Sequence, residues 1–394
     1  MDFSFVVEKK DRSSHARAGI IKTPHGEIRT PAFSVVATRA TVRGLDPEDI
    51  KKTETQVVLG NAYHLYLHPG IETIKNSGGF AKWMGWDGPS ITDSGGYQVS
   101  FLWNGDIKNS GDKNAQVRIR EEGMYFRSHI DGSKHLLTPE KSMVIQNALG
   151  ADIIMALDQP MGFKFSADVN KKAWERSFKW EERSLVAWKK LEEERREGTR
   201  QVLFGIIQGL TNKKMRMSFL KFILEMDFPG IAIGDETIGA DPKVTAKSLD
   251  TVKNSLPDSK PLHALGLGGG PEGIFAATER GVDTFDNSSI TRMARTGLLF
   301  LYPEDGGRKE NKFRMDIKKS IYHSDKKPIS KVCKCYTCRN FSRSYVHHLL
   351  VSSEMLGLRL ATMHNIYLIN DLMEGIRRAI KNNDLLSLRK HWVG

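Results

Sequence analysis

Eight short apolar runs rich in β-branched residues recur along the chain, and segments of helical periodicity separate most of them. The runs lie near Phe33–Arg39, Thr55–Asn61, Ser90–Ser94, Asp152–Asp158, Leu203–Gln208, Gly230–Asp235, His263–Gly268 and Asp283–Asn287. The helical segments are Pro139–Leu149, Asn170–Glu197, Asn212–Met226, Pro242–Ser255 and Pro271–Arg280. Alternation of strand and helix argues for a parallel sheet. Eight such strands predict an α/β fold of the (β/α)8 TIM-barrel type. A doubly wound open sheet competes with it. No GxGxxG follows the first run, however, and Gly268–Gly269–Gly270 comes only after the seventh, where a tight turn accounts for it.

Two stretches interrupt the repeat. Residues 101–135 read as a hairpin insertion between the third strand and its helix. Residues 308–394 read as a basic, helical, zinc-binding subdomain packed on a barrel of residues 1–307, with closing helices Ser342–Leu358 and Asn365–Asn382. Composition (39% hydrophobic, 27% charged) is that of a globular chain and excludes a disordered or fibrous one. No apolar run reaches the roughly 18–20 residues of a membrane span, and the first residues show no signal-peptide pattern. All three cysteines fall between 333 and 338, which argues against a disulfide framework and for a reducing, cytoplasmic setting.

The last residues of the runs carry the functional signal. Asp93, Asp158, Gln208, Asp235, Gly266 and Asp286 fall at or near C-terminal strand ends. In a barrel these ends converge on one mouth, where barrel active sites are built. A single such Asp is ordinarily a cap or turn residue. Several carboxylates on one mouth are costly to leave unpaired and mark a site. Mg²⁺, a glycosidic bond, or a base with several N–H donors would each suit it.

From Arg308 to Arg339 eleven Lys/Arg stand against Glu310, Asp316 and Asp325, so this segment supplies +8 of the chain's +12. Such a concentration suits a polyphosphate partner, although a solvated loop is the plain alternative. Within it, Cys333-Lys-Cys335-Tyr-Thr-Cys338 brings three thiols close enough for one ion, and tetrahedral zinc then needs a fourth ligand. His347, His348 and His364 are the candidates. We favour His364, 26 residues after Cys338, as the opening residue of the last helix folding back onto the knuckle. A closed Cys3His set is structural: one Zn²⁺ per chain, shaping the basic segment.

Together with these features, Thr30-Pro31-Ala32-Phe33, Gly60-Asn61-Ala62-Tyr63-His64-Leu65, Thr92-Asp93-Ser94-Gly95-Gly96-Tyr97-Gln98, His129-Ile130-Asp131-Gly132-Ser133, Gly150-Ala151-Asp152-Ile153-Ile154-Met155, Ile207-Gln208-Gly209, Arg280-Gly281-Val282-Asp283 and Arg343-Ser344-Tyr345-Val346-His347-His348-Leu349 stand in the order of a known family. The chain resembles the bacterial type of tRNA-guanine transglycosylase (queuine tRNA-ribosyltransferase) from about Arg17 to Arg378. The resemblance implies a (β/α)8 barrel with a zinc-bearing insertion. It implies exchange of the wobble guanine of tRNA for a 7-deazaguanine (7-aminomethyl-7-deazaguanine or queuine) in queuosine modification, and a homodimer. It also implies roles: Asp286 as nucleophile, Asp93 as general acid/base, and Ser94, Tyr97, Asp158, Gln208, Gly234, Asp235, Glu236, Leu265 and Gly266 around the base. Arg292 and Arg295 would meet the anticodon, and Cys333, Cys335, Cys338 and His364 would hold zinc. Plain alternatives are a turn role for Asp93, a satisfied strand-end amide for Gln208, a core position for Tyr97, and solvated ion pairs for the two arginines.

Three segments depart from the family's usual pattern. Gln159-Pro160 stand for Glu-Cys. Gly234-Asp235-Glu236-Thr237-Ile238-Gly239-Ala240 stand for Gly-Gly-Leu-Ala-Val-Gly-Glu. Asn287-Ser288-Ser289-Ile290 stand for Cys-Val-Met-Pro. Carboxylates at 235 and 236 are expected to favour a cationic aminomethyl group or hydroxyl donors over a neutral nitrile. A non-catalytic tRNA-binding paralogue and a paralogue acting on DNA are the rival readings. Retention of Asp93 and Asp286 speaks against the first, and the knuckle against the second.

Overall fold

The computed structural model describes residues 3–101, 117–195 and 199–394. Each apolar run forms one barrel strand: β1 (Ala32–Ala37), β2 (Val57–Gly60), β3 (Ser90–Thr92), β4 (Ile153–Met155), β5 (Val202–Ile207), β6 (Gly230–Ile233), β7 (Leu262–Ala264) and β8 (Thr284–Asp286). They pair in parallel in chain order, and β8 closes on β1 through Thr284↔Ala32, Phe285↔Phe33 and Asp286↔Ser34. Closure excludes the open doubly wound sheet. Several strands end two or three residues earlier than the apolar runs, because the polar residues at the run ends leave the ladder and turn toward the mouth.

The inward-facing residues Val57, Leu59, Ile91, Ile153, Met155, Val202, Phe204 and Ile206 form one packed cluster. Ile21 and Ile28 join that cluster from a three-stranded antiparallel sheet (Ser4–Lys10, Arg17–Thr23, Gly26–Thr30) that the sequence reading does not anticipate. This sheet lies across the N-terminal ends of the barrel strands and forms a floor. Arg17 binds Asp283 through Nε (3.0 Å) and Nη2 (2.7 Å), and His25 Nδ1 lies 2.7 Å from Asp152 Oδ1.

The helices cover the outside. Pro139–Leu149 begins where expected, on a Thr138 side chain that accepts from Lys141 N, and ends on left-handed Gly150. The long helix spans Ala167–Glu193; the expected end at Glu197 lies outside the described residues. Within the expected hairpin insertion, strands Val117–Ile119, Met124–Arg127 and Lys134–Leu137 form an antiparallel sheet, and residues 102–116 lie outside the described residues.

The C-terminal helices differ from expectation. The first ends at Val351, and the second runs unbroken from Met355 to Asn382. The break falls at Ser352–Glu354, where Ser353 takes φ +60°, and the Leu358–Asn365 stretch continues the helix. That helix is tied to the barrel: Asn365 Oδ1 accepts from Phe300 N (2.9 Å), Asn370 Nδ2 donates to Thr53 O (2.8 Å), and Arg377 Nη1 donates to Pro31 O (2.6 Å). No described helix is long and apolar enough to cross a membrane.

Candidate active site and metal centre

The barrel brings the strand-end residues to one mouth. Asp93, one residue past β3, accepts from Ala62 N (2.8 Å), Gln98 Nε2 (3.0 Å) and Asn61 Nδ2. Burial pushes its carboxyl up to about 7, the nearby charge of Asp286 adds to the rise, and the amide donors moderate it. A carboxyl poised there can both give and take a proton near neutral pH. Among the described residues Asp286, the last residue of β8, is anchored through Oδ1 alone: Gly266 N donates at 3.0 Å and His263 Nε2 lies at 3.3 Å. His263 is fully buried on β7, its Nδ1 2.9 Å from Thr284 Oγ1.

Asp158 and Gln208 are buried side by side. Gln208 Nε2 donates to Asp158 Oδ2, and Gln208 Oε1 accepts from Met161 N at 3.3 Å. Burial pushes Asp158 up to about 7, and no cation among the described residues offsets it. Ser94 is buried, with Oγ accepting from Gly96 N at 3.4 Å. Gly96 packs so closely on the Asp158 carbonyl that a Cβ would lie 2.8 Å from that oxygen, so only glycine fits. Tyr97 is no core residue: its ring is 53% exposed and stacks on Phe101 at 4.7 Å. Gly234 leaves room for Gln208, whose Nε2 would lie 3.3 Å from a Cβ there. Leu265 packs on the barrel interior, its N–H bonded to Ile233 O.

Asp235 and Glu236 part company. The Asp235 carboxylate is fully enclosed and committed: Arg216 Nη2 and Leu210 N each donate at 2.8 Å, and Thr237 supplies its N–H (2.9 Å) and Oγ1 (2.6 Å). It holds φ +79°, a left-handed backbone stabilised here by those bonds. The expectation that both carboxylates face a 7-substituent therefore needs correcting: Arg216, which sequence reading leaves without a role, takes the first. Glu236 stays half-buried at the rim. Its Oε2 accepts from Phe163 N at 2.6 Å, and its charge helps raise the Tyr97 phenol behind the larger effect of burial.

Arg292 and Arg295 stand on the helix Ser288–Thr296 that follows β8. Neither forms an ion pair among the described residues, against the solvated-pair alternative, and Arg295 buries one Nη1 without a partner. Asn61, Gln98 and His263 are contacts of the two central carboxylates that the sequence reading does not assign. The first two lie inside quoted motifs, and His263 opens a strand run.

Cys333, Cys335, Cys338 and His364 are all buried, and their donor atoms lie within 4.8 Å of one another. His364 Nδ1 faces the three sulfurs at 3.7, 3.6 and 3.3 Å, while Nε2 is bound to Phe300 O at 2.8 Å. That outer bond fixes the tautomer with a lone pair on Nδ1, so the set fits a metal ion. His364 lies mid-helix, not at its start, because the helix begins at Met355. His347 is committed to Ile317 O (2.8 Å), and His348 is exposed.

A family model described as Queuine tRNA-ribosyltransferase matches residues 11–394. Among curated relatives, Queuine tRNA-ribosyltransferase of Thermoanaerobacter pseudethanolicus is 41% identical over 384 residues, 98% of this chain and 95% of the relative. That of Desulforamulus reducens is 41% identical over 393 residues (100% and 98%), and that of Staphylococcus aureus 40% over 384 (98% and 94%).

Proposed function

The chain belongs to the queuine tRNA-ribosyltransferase family and is a tRNA-guanine transglycosylase, a pentosyltransferase; from that premise we propose the route by which its residues exchange the base. The free oxygen of Asp286 attacks C1′ of the wobble ribose as the N-glycosidic bond breaks. The bonding pair leaves on guanine N9, and Asp93 delivers the proton that makes guanine neutral. The incoming 7-deazaguanine returns a proton from N9 to Asp93, its N9 pair forms the new bond to C1′, and the Asp286 carboxylate is released. The aspartyl ester carries the ribosyl cation equivalent between the two half-reactions, so the phosphodiester chain is never cut.

The observation that carries this reading is the pairing of two unlike carboxyls at one mouth. One is pushed up to about 7, and the other is anchored through a single oxygen by a backbone N–H. Asp158 and Gln208 then take the hydrogen-bonding edge of the purine, with Tyr97 stacking on it. Arg292, Arg295 and the exposed Lys/Arg of 308–339 grip phosphates of the anticodon stem-loop. The Cys3His set holds one structural Zn²⁺, with Cys333, Cys335, Cys338 and His364 as ligands. The working setting is the cytoplasm, supported by three cysteines free of disulfide, and the working unit is a homodimer.

Glu236 is the carboxylate left at the rim, and it supports selection of a 7-substituent carrying an amine (7-aminomethyl-7-deazaguanine or queuine) over a nitrile. Trapping wild-type protein with wobble-guanine tRNA and resolving it under denaturing conditions should give an RNA–protein adduct that Asp286→Ala lacks. An adduct of equal yield in the variant would refute the route, and no adduct with tRNA but one with DNA would favour the DNA-acting reading.

A further inference from the structure

β4 ends at Met155, while its neighbour β5 continues to Ile207. The ladder between them stops at Met155↔Phe204, with one more bond from Ala156 N to Phe204 O (3.0 Å). Beyond that point the chain of β4 peels away from β5, which opens the wall just where Asp158 and Gln208 stand. Peeling strands expose amides that must find acceptors. Ile206 N, on the same edge of β5 as Phe204, loses its β4 acceptor, and Leu157 N and Gln159 N, on the opposite edge of β4 from Ala156, lie beyond the Ile153↔Ile91 pairing with β3.

One helix supplies all three acceptors. Along Ala167–Glu193, Ser177, Glu181 and Ser184 fall on one buried face at i, i+4 and i+7. Ser184 Oγ accepts from Leu157 N (3.1 Å), Ser177 Oγ from Gln159 N (3.0 Å), and Glu181 Oε1 from Ile206 N (2.9 Å). The two serines thus hold the amides on either side of Asp158, and Glu181 holds the strand two residues before Gln208. Gly205 makes the room: a Cβ there would lie 3.0 Å from Glu181 Oε2. Burial first, and the neighbouring Asp158 second, push the Glu181 carboxyl well above the usual carboxylate range.

We propose that Ser177, Glu181 and Ser184 are positioning residues for base recognition: they accept from three amides that lie past the strand ladders and so set the register of Asp158 against Gln208. The proposal rests on the reading of those two residues as the base pocket. None of the three touches substrate.

The test is guanine exchange with the full-length protein, with KM for base and for tRNA measured separately. Glu181→Gln keeps the carbonyl acceptor and should leave both KM values and kcat within about twofold of wild type. Glu181→Leu removes the acceptor and should raise the KM for guanine about tenfold, with the tRNA KM and kcat held within about twofold. Should the leucine variant fail to fold, Ser184→Ala, which frees Leu157 N, gives the same readout with a smaller shift. An unchanged guanine KM in the folded variants, a parallel change in both substrates, or a Gln variant as impaired as Leu would overturn the proposal. Failure of the pocket reading itself is distinguishable: Asp158→Asn would then leave the guanine KM unmoved.

Discussion

The two ends of this barrel both carry buried aspartates, yet they treat the charge in opposite ways. At the floor, Asp283 is clamped by Arg17 through two nitrogens, and Asp152 accepts from Ser90 N (2.8 Å) and lies against His25. At the mouth, Asp93, Asp158 and Asp286 receive amide hydrogen bonds but no guanidinium or ammonium from the described residues. Asp235 is the exception that explains the rule. It sits at the mouth by sequence position, but with Arg216 as partner it stiffens a loop and offers nothing to a ligand. Compensated charge builds structure, and uncompensated charge is held ready for chemistry.

This contrast can be broken at either end. The largest effect belongs to Asp286→Ala, which should lower exchange by at least about 10³-fold while leaving the melting temperature close to wild type; a melting temperature that falls with activity would erase the distinction. At the floor the reverse holds. Arg17→Met strands the Asp283 carboxylate and should cost about 3–5 kcal/mol in denaturant unfolding, with kcat preserved in the fraction that stays folded.

Asp158→Asn tests the mouth through pH. Its folded pKa of about 7 lies above the unfolded value near 3.8, so the protonated form is favoured by folding. The stability this contributes is complete below the unfolded pKa and is lost as pH rises through 7. The asparagine variant should therefore be more stable than wild type by roughly 2 kcal/mol at pH 8.5, and the gain should shrink as pH falls to 5.5. Unfolding curves at the two pH values decide it. The smallest effect is at the rim. Glu236→Gln should reduce the preference for an amine-bearing over a nitrile-bearing base by about threefold, the worth of a half-exposed ion pair, in a competition assay.

Sequence reading finds the barrel because its strands are nearly continuous apolar runs with helices between them, and Phe285 or Ile153 leaves little choice of environment. It misses the floor sheet, where Ser4–Lys10 sets three apolar residues (Phe5, Val6, Val7) ahead of three charged ones (Glu8, Lys9, Lys10), without the period-two pattern that marks a half-buried strand. It finds the mouth aspartates and the knuckle because each sits in a tight local pattern. It cannot separate Asp235 from Asp158, since the deciding cation, Arg216, lies on a helix 19 residues away and looks like any surface arginine. The same blindness hides Ser177, Glu181 and Ser184: polar residues on a helix read as solvated until the strand they satisfy is seen to part from its neighbour. Asn61, Gln98 and His263 are of this kind too, since their importance is a property of what they touch.

The sealed floor has a consequence for traffic. With Ile21 and Ile28 plugging one end of the barrel, a freed purine has no rear exit. On the proposed route the doorway left to it is the mouth over which the anticodon loop would sit, so departure of the old base and arrival of the new one would have to take turns beneath a docked polynucleotide. Turnover then depends on how far that rim yields sideways as well as on how fast bonds break.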